Sequence, residues 1–195
     1  MYHLKKMDSE SEDRYEIRLS GSGGQGLVFA GTILAEAIGI YDGKNVAQTQ
    51  SYGPEARGGA SRSDIVISSG EIYYPKSLRL DLLLALTQES CDRYFMKLKE
   101  DGILILDSDL VNQPPARDFY SFPFTRITKE RLGTSIVANV VALGTIAALS
   151  KVVSKESLIE AVKKRAPKGT EKLNLSALEL GYELARKRKR RSKKV

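Results

Sequence analysis

The sequence predicts an open α/β fold: a mostly parallel, Rossmann-like sheet with helices on both faces and a helical C-terminal third. Three observations predict this fold. An alternating strand runs into a glycine-rich loop at residues 21–26, two apolar runs follow at residues 82–86 and 103–106, and the chain turns helical from residue 134. Apolar runs without alternation are typical of strands that are buried on both faces of a parallel sheet.

The first third of the chain should form a strand, a helix and two further strands. Residues 15–19 alternate between apolar and charged side chains, which predicts a strand with one buried face. Apolar residues then recur at helical spacing from Leu27, and Gly39 is the expected stop. Residues 46–51 and 62–68 predict the second and third strands.

The rest of the chain alternates strands and helices before it becomes helical. The predicted strands lie at residues 81–86 and 103–106, both buried, and at residues 120–124, at the sheet edge. A helix that Thr87 caps and that ends near residue 99 separates the first two strands. Three further helices follow, at residues 134–149, around Leu158 and at residues 170–186, with Pro167 and Gly169 before the last. Residues 134–149 are apolar nearly all round, which predicts a helix buried on several sides, against the sheet or against a partner chain.

The chain divides into a polar lead (residues 1–13), a single domain (residues 14–185) and a basic tail (residues 186–195). Its 195 residues, 42% hydrophobic, suffice for one sizeable core. The formal net charge of +7 lies in the tail, since eight of the nine residues 186–194 are Lys or Arg. The tail could be a solvated extension, a docking site for an acidic protein such as an electron carrier, or a non-specific phosphate binder. We expect no specific nucleic acid partner.

Two residue types that carry much enzyme chemistry occur once each. Cys91 is the one cysteine, so this chain cannot by itself hold an iron–sulfur cluster, which needs about four thiolates, and we expect a structural role for it. His3, in the polar lead, is the one histidine, so the sequence lacks the residues that a zinc site or a Ser-His-Asp triad needs. No stretch approaches the roughly 18 consecutive apolar residues of a membrane span, and residues 1–13 are too charged for a secretory signal, so we expect a cytoplasmic protein.

The first candidate binding loop joins the first strand to the first helix. Gly21, Gly23 and Gly26 satisfy the spacing G-x-G-x-x-G, and Gly24 and Gln25 complete the loop. Glycines allow a tight turn, and a helix that begins there presents unpaired N–H groups to a phosphate or carboxylate. A dinucleotide site also needs an acidic residue near the end of the second strand, which this sequence lacks, so NAD is disfavoured. Close packing of strand and helix is the alternative reason for the glycines.

The second candidate loop lies in residues 51–59, which read SYGPEARGG. Pro54 fixes the backbone and defines how the side chains beside it project. A guanidinium offers a planar fork of five donors that suits phosphate or carboxylate. A contact within the loop between the carboxylate and the guanidinium is the alternative. The candidate binding residues of this loop are Tyr52, Glu55, Arg57, Gly58 and Gly59.

Four segments resemble the gamma subunit of the 2-oxoacid:ferredoxin oxidoreductases, the pyruvate/ketoisovalerate oxidoreductase gamma-domain family. They are YEIRLSGSGGQG at residues 15–26, QTQSYGPEARGGASR at 48–62, DLLLALTQ at 81–88 and GILILDSD at 102–109. The resemblance extends over residues 15–183, and the combination of the two glycine-rich loops is specific to it. The second loop is similar to the 2-oxoglutarate type, 2-oxoglutarate synthase, rather than to the pyruvate type.

The resemblance implies a subunit of a multisubunit enzyme that oxidatively decarboxylates a 2-oxo acid to acyl-CoA and CO₂ and reduces ferredoxin. It implies that alpha and beta subunits hold thiamine diphosphate and Mg, that a delta subunit or domain holds [4Fe-4S] clusters, and that this chain holds no cofactor and is inactive alone. The two glycine-rich loops would then help to admit coenzyme A at the subunit junction. Two alternatives stay open: a stand-alone Rossmann-type nucleotide-binding protein, and a purely architectural subunit. The isolated chain could also form a homodimer.

Overall fold

The computed structural model describes residues 14–52 and 60–187. Within these ranges the elements are, in chain order, β1 (Arg14–Ser22), α1 (Leu27–Glu36), β2 (Asn45–Tyr52), β3 (Ala60–Ser68), β4 (Leu80–Ala85), α2 (Gln88–Tyr94), β5 (Leu98–Asp107), β6 (Tyr120–Phe122), α3 (Phe124–Leu132), α4 (Ala138–Ser150), α5 (Lys155–Arg165) and α6 (Glu171–Lys187). None of the helices in this part of the chain is long and apolar enough to cross a membrane.

The described strands form one six-stranded sheet in the order β2-β3-β1-β4-β5-β6. β1, β4, β5 and β6 pair in parallel, whereas β3 runs antiparallel to both β1 and β2. The predicted α/β fold with a mostly parallel sheet is therefore confirmed, and β3 is its reversed strand. A connection of seven residues between β2 and β3 suits this reversal, because antiparallel neighbours need only a short link while parallel neighbours need a crossover.

Helices cover the two faces of the sheet unequally. On the first face, α1, α4, α5 and α6 build the larger core around inward side chains such as Ile17, Leu19 and Leu82. On the second face, the short α2 covers a smaller core that contains Leu83, Leu104 and the fully buried Cys91. β4 and β5 contribute to both cores, as the apolar runs without alternation predict.

The closest helix crossing joins α4 and α6 at a pair of glycines. A Cβ atom on Gly144 would lie 2.3 Å from the carbonyl oxygen of Leu178, and one on Gly181 would lie 2.1 Å from the carbonyl oxygen of Val141. Only residues without a side chain allow the backbones to approach this closely. The prediction of a helix buried on several sides is confirmed, and its neighbours are the sheet and α6.

Three predicted boundaries are wrong. The helix after the glycine loop continues past Gly39 through a π-helical turn to Tyr41, and Gly39 instead allows close approach of β2, since a Cβ atom there would lie 2.6 Å from Val46 Cγ1. α2 ends at Tyr94, because the chain from residue 98 already pairs with β4. The helix predicted at 134–149 begins only at Ala138, after a turn at residues 134–137. α3 was not predicted; it begins at Phe124, within the expected edge strand, and ends at the left-handed Gly133.

Candidate functional site

The glycine-rich loop forms a tight turn at the carboxyl edge of the sheet. Gly24 (φ +88°) and Gly26 (φ +70°) adopt the left-handed conformation that favours glycine, and Gly23 and Gly24 are exposed. The side chain of Gln25 folds back onto the loop, where its Oε1 accepts a hydrogen bond from the backbone N–H of Ser22 at 2.7 Å. Gln25 thus braces the turn with its carbonyl oxygen.

Two of the glycines also make close contacts that a larger residue would disturb. A Cβ atom on Gly21 would lie 2.1 Å from Gln25 Oε1, and one on Gly26 would lie 2.4 Å from Asn139 Nδ2. Asn139 donates a hydrogen bond from Nδ2 to the carbonyl oxygen of Gly26 at 3.0 Å. The first turn of α4 is therefore tied directly to the loop.

Sequence reasoning did not assign Asn139 to the site. Its signal in the sequence is an amide near the start of a mostly apolar helix, and this signal does not identify the partner 113 residues away. Its role in the structure is to fix the distance between the loop and α4.

A cleft of about 500 Å³ opens beside the loop. It lies between the ends of β1, β4 and β5 and the first turns of α3 and α4. Its lining residues are Gly24, Gln25, Leu86, Asp107, Phe124, Thr125, Thr134, Ser135, Ile136, Ala138 and Asn139. In the sheet, β3 and β2 lie on one side of β1, and β4 lies on the other side. The chain therefore changes the direction in which it adds strands beside this cleft. Clefts at such a switch point, outside the carboxyl ends of the strands, are where open α/β sheets bind ligands.

The cleft contains a buried carboxylate and, in its described lining, no lysine or arginine. Burial raises the pKa of Asp107, against the hydrogen bonds that backbone N–H groups donate to it, among them that of Asp109 at 2.8 Å to Oδ1. The other polar groups of the lining are amides and hydroxyls, from Gln25, Asn139 and the Thr134-Ser135 pair. These groups suit a ligand's neutral polar portions better than its phosphates.

The second candidate loop lies mostly outside the described residues. Tyr52 ends β2 with its side chain 66% exposed, whereas Glu55, Arg57, Gly58 and Gly59 fall in residues 53–59, which the structure does not describe. The described residues that flank this gap are informative, because Tyr52 pairs with Ser61 and Ala60 pairs with Ser22. Both ends of the gap therefore lie at the sheet edge that carries the glycine loop.

The sheet topology argues against a dinucleotide site. In the doubly wound dinucleotide fold, the second strand lies beside the first and its end supplies the acid that binds a ribose. Here the antiparallel β3 occupies that place, and β2 is the outermost strand. The loop spacing alone thus does not make a nicotinamide cofactor site.

The described residues also do not fit a metal centre. Within residues 14–52 and 60–187, no group of three or more His, Cys, Asp or Glu side chains could hold a metal ion. Cys91 is buried, and burial together with the nearby Asp92 raises the pKa of its thiol to about 11, so it is not a thiolate ligand. The expected structural role of Cys91 agrees with its place in the smaller core.

Comparisons with known proteins agree with the fold. A family profile described as pyruvate ferredoxin/flavodoxin oxidoreductase matches residues 16–184. The 2-oxoglutarate synthase subunit KorC of Methanocaldococcus jannaschii is 50% identical over 177 residues, which are 89% of this chain and 95% of that protein. The pyruvate synthase subunit PorC of Methanothermobacter marburgensis is 32% identical over 176 residues, 86% of this chain and 96% of that protein.

A solved structure shares both the sequence and the fold. The gamma subunit of a keto/oxoacid ferredoxin oxidoreductase from Geobacter sulfurreducens is 50% identical and superposes with a TM-score of 0.80, over 88% of this chain and 96% of that one.

Proposed function

The chain belongs to the pyruvate ferredoxin/flavodoxin oxidoreductase family, and from that membership we propose that it is the gamma subunit of a 2-oxoglutarate:ferredoxin oxidoreductase. The assembled enzyme would convert 2-oxoglutarate and coenzyme A to succinyl-CoA and CO₂ and pass the two electrons to ferredoxin. The observation that carries the proposal is the 50% identity to a 2-oxoglutarate synthase subunit over nearly the whole of both chains.

The choice of 2-oxoglutarate over pyruvate is supported by a contrast between relatives. The KorC subunits of four archaea are 43–50% identical to this chain, whereas two PorC subunits are each 32% identical over a similar length. Because the identity to the KorC subunits is higher than that to the PorC subunits over nearly the whole chain, the comparison favours the 2-oxoglutarate type. The proposal concerns the complex, since no described residue of this chain is identified as contacting the oxo acid.

We propose that other subunits hold the thiamine diphosphate, Mg and [4Fe-4S] groups of the complex. Thiamine diphosphate would supply the carbanion chemistry of decarboxylation there, and the clusters would carry the electrons. The described residues of this chain do not fit either group, because they include no acidic or thiolate set for a metal and the cysteine is buried and protonated. The role of this chain would then be to shape a binding site at the junction between subunits.

That junction, in our proposal, adjoins coenzyme A. The cleft has the volume and the amide and hydroxyl lining for a neutral portion of such a ligand, and Gly23 and Gly24 leave its rim open. Its described lining lacks a cation for the phosphates, and Asp107 would repel them if ionised. Arg57 is the residue that we propose supplies this charge, with Tyr52 and Glu55 beside it, because both ends of its loop lie at this edge.

Co-purification and substrate preference test the proposed enzyme. Tagged chain, expressed together with the alpha, beta and delta genes, should purify with all three partners, and the complex should reduce ferredoxin with 2-oxoglutarate at a kcat/KM at least about tenfold above that with pyruvate. A stable complex that prefers pyruvate would refute the substrate, and failure to join any such complex would refute the subunit role.

Arg57→Ala tests the coenzyme A junction within the same complex. We expect the apparent KM for coenzyme A to rise about tenfold or more while that for 2-oxoglutarate stays unchanged, since one charge-assisted contact contributes about 1.5–3 kcal/mol. Lys163→Gln on α5 is the control, because this exposed cation forms a local ion pair, with Glu160. If Arg57→Ala changes neither coenzyme A affinity nor assembly, the purely architectural role stands.

A further inference from the structure

Three guanidinium groups converge on the ring of Tyr94, on the second face of the sheet. The guanidinium carbons of Arg18, Arg62 and Arg93 lie 4.6, 5.8 and 6.0 Å from the ring centroid. Arg18 comes from β1, Arg62 from β3, and Arg93 precedes Tyr94 at the end of α2. We call these four residues the arginine cluster. The aromatic face favours nearby cations, but it does not neutralise them.

Among the described residues, the counter-charge for the arginine cluster is incomplete. Asp64 is bound to Arg18 through two hydrogen bonds of 2.6 Å, so its oxygens are already engaged, and Arg62 Nε lies 3.8 Å from it. Arg93 has a 3.8 Å contact with Glu89, in which both side chains are more than half exposed and the attraction is weak.

One donor group of the cluster, among the described residues, is also left without an acceptor. Within the part of the chain that the structure describes, Nη1 of Arg18 is buried with no hydrogen-bond partner. A guanidinium carries five N–H donors, and leaving some of them unpaired and shielded from water is unfavourable. An external carboxylate that binds Arg62 and Arg93 would supply the missing charge beside this buried group.

The surface around the cluster is open and has the composition of an interface. The side chains of Thr49 and Ser51, on the same sheet face of the outermost strand β2, are only half-buried, so α2 leaves this part of the face uncovered. Met96, two residues after Tyr94, is 79% exposed. Arg and Met are enriched at protein interfaces, and exposed sheet faces are normally covered by another layer.

We propose that the arginine cluster docks a carboxylate-bearing segment of another subunit of the oxidoreductase. An Asp or Glu of that segment accepts hydrogen bonds from the guanidinium groups of Arg62 and Arg93, and an apolar neighbour packs against Met96. Of the described residues, a lone anion would meet the two partly exposed arginines, whereas a partner chain also covers the uncovered polar face of β2. The inference rests on the proposed function, which supplies the partner subunits.

The test measures how tightly the purified chain binds a complex of the other subunits. Arg62→Gln/Arg93→Gln should weaken this binding at least about tenfold and reduce its dependence on salt between about 0.05 and 0.3 M, because steering and pairing charges are lost together. Lys163→Gln/Lys172→Gln, which removes the same charge from exposed positions on α5 and α6, should change the affinity less than about twofold. Arg62→Lys/Arg93→Lys keeps the positive charges but lacks the planar guanidinium groups. Its affinity should therefore lie between those of wild type and the double Gln variant.

Each alternative has a distinct result. If wild type binds the other subunits and the double Gln variant binds equally well, the docking surface is refuted while the proposed function stands. If wild type does not bind them, both proposals fail. If light scattering finds a wild-type dimer that the double Gln variant converts to a monomer, the occupant is a second copy and our choice of partner is wrong. Unchanged melting curves verify that the variants fold.

Discussion

Replacing either glycine of the α4–α6 crossing with alanine should strongly destabilise the fold. In Gly144→Ala, the new Cβ atom would lie 2.3 Å from the carbonyl oxygen of Leu178 and 2.9 Å from Gly181 Cα, whereas ordinary contacts begin at 3.4 Å. The obstructing atoms are backbone atoms, so no rotamer change relieves the clash. The two helices would have to separate by about 1 Å along a packed seam, which disturbs the main core.

We expect Gly144→Ala and Gly181→Ala each to lower the free energy of unfolding by about 3 kcal/mol, at the upper end of overpacking effects. For a chain of this size, that corresponds to a fall in Tm of about 6–12 °C. Urea denaturation and thermal melts followed by circular dichroism measure both quantities.

Gly70→Ala is the matched control. Only Ser68 Oγ, at 3.9 Å, would lie near its Cβ atom, and Gly70 is not in the left-handed conformation. This change should be neutral or stabilise by up to about 1 kcal/mol, because alanine restricts the unfolded chain. Melts of Gly144→Ala and Gly181→Ala that coincide with wild type would refute the close packing of the two helices.

Three further predictions concern buried polar groups. Asp64→Asn should lower the free energy of unfolding by about 3–5 kcal/mol in urea, since it leaves the Arg18 guanidinium buried without its counter-charge, and a loss below about 1 kcal/mol would contradict this. Burial raises the pKa of Glu36, but hydrogen bonds from two cations of α5 outweigh it and hold the pKa below its usual value. The stability that Glu36 contributes is therefore present above the usual glutamate pKa and lost as the pH falls through the lowered one. Glu36→Gln should flatten the loss of stability between about pH 5 and pH 3, and parallel curves would refute the contribution. Burial raises the pKa of Cys91 to about 11, so the folded protein should react with a thiol reagent at least about a hundredfold more slowly than the unfolded one, and equal rates would show that the thiol is accessible.

Local patterns in the sequence predicted most elements because each signal is complete within a few residues. The Thr87 cap is one case, since its hydroxyl accepts a hydrogen bond from the N–H of Ser90 as the pattern requires. The buried strands β4 and β5 are another, because an apolar run at a sheet centre needs no knowledge of its neighbours.

Features that depend on distant residues were not predictable in this way. The pairing of β3 with β1 as well as with β2 joins distant residues, and residue alternation is the same in either strand direction, so the short link to β2 was the one local signal of the reversal. The tie between Gly26 and Asn139 and the crossing of Gly144 with Gly181 join positions far apart in the chain. Gly39 shows the same limit: a glycine can end a helix or admit a neighbour, and only the position of β2 decides between them.

Reconstitution with and without this chain tests the central claim most directly. The alpha, beta and delta subunits are purified separately, and ferredoxin reduction is measured with 2-oxoglutarate and coenzyme A. We predict that activity appears only when this chain is added, and that the chain alone shows neither this activity nor NAD(P) binding. Full activity of the three other subunits without it, or nucleotide-dependent oxidoreductase activity of the chain alone, would contradict the account.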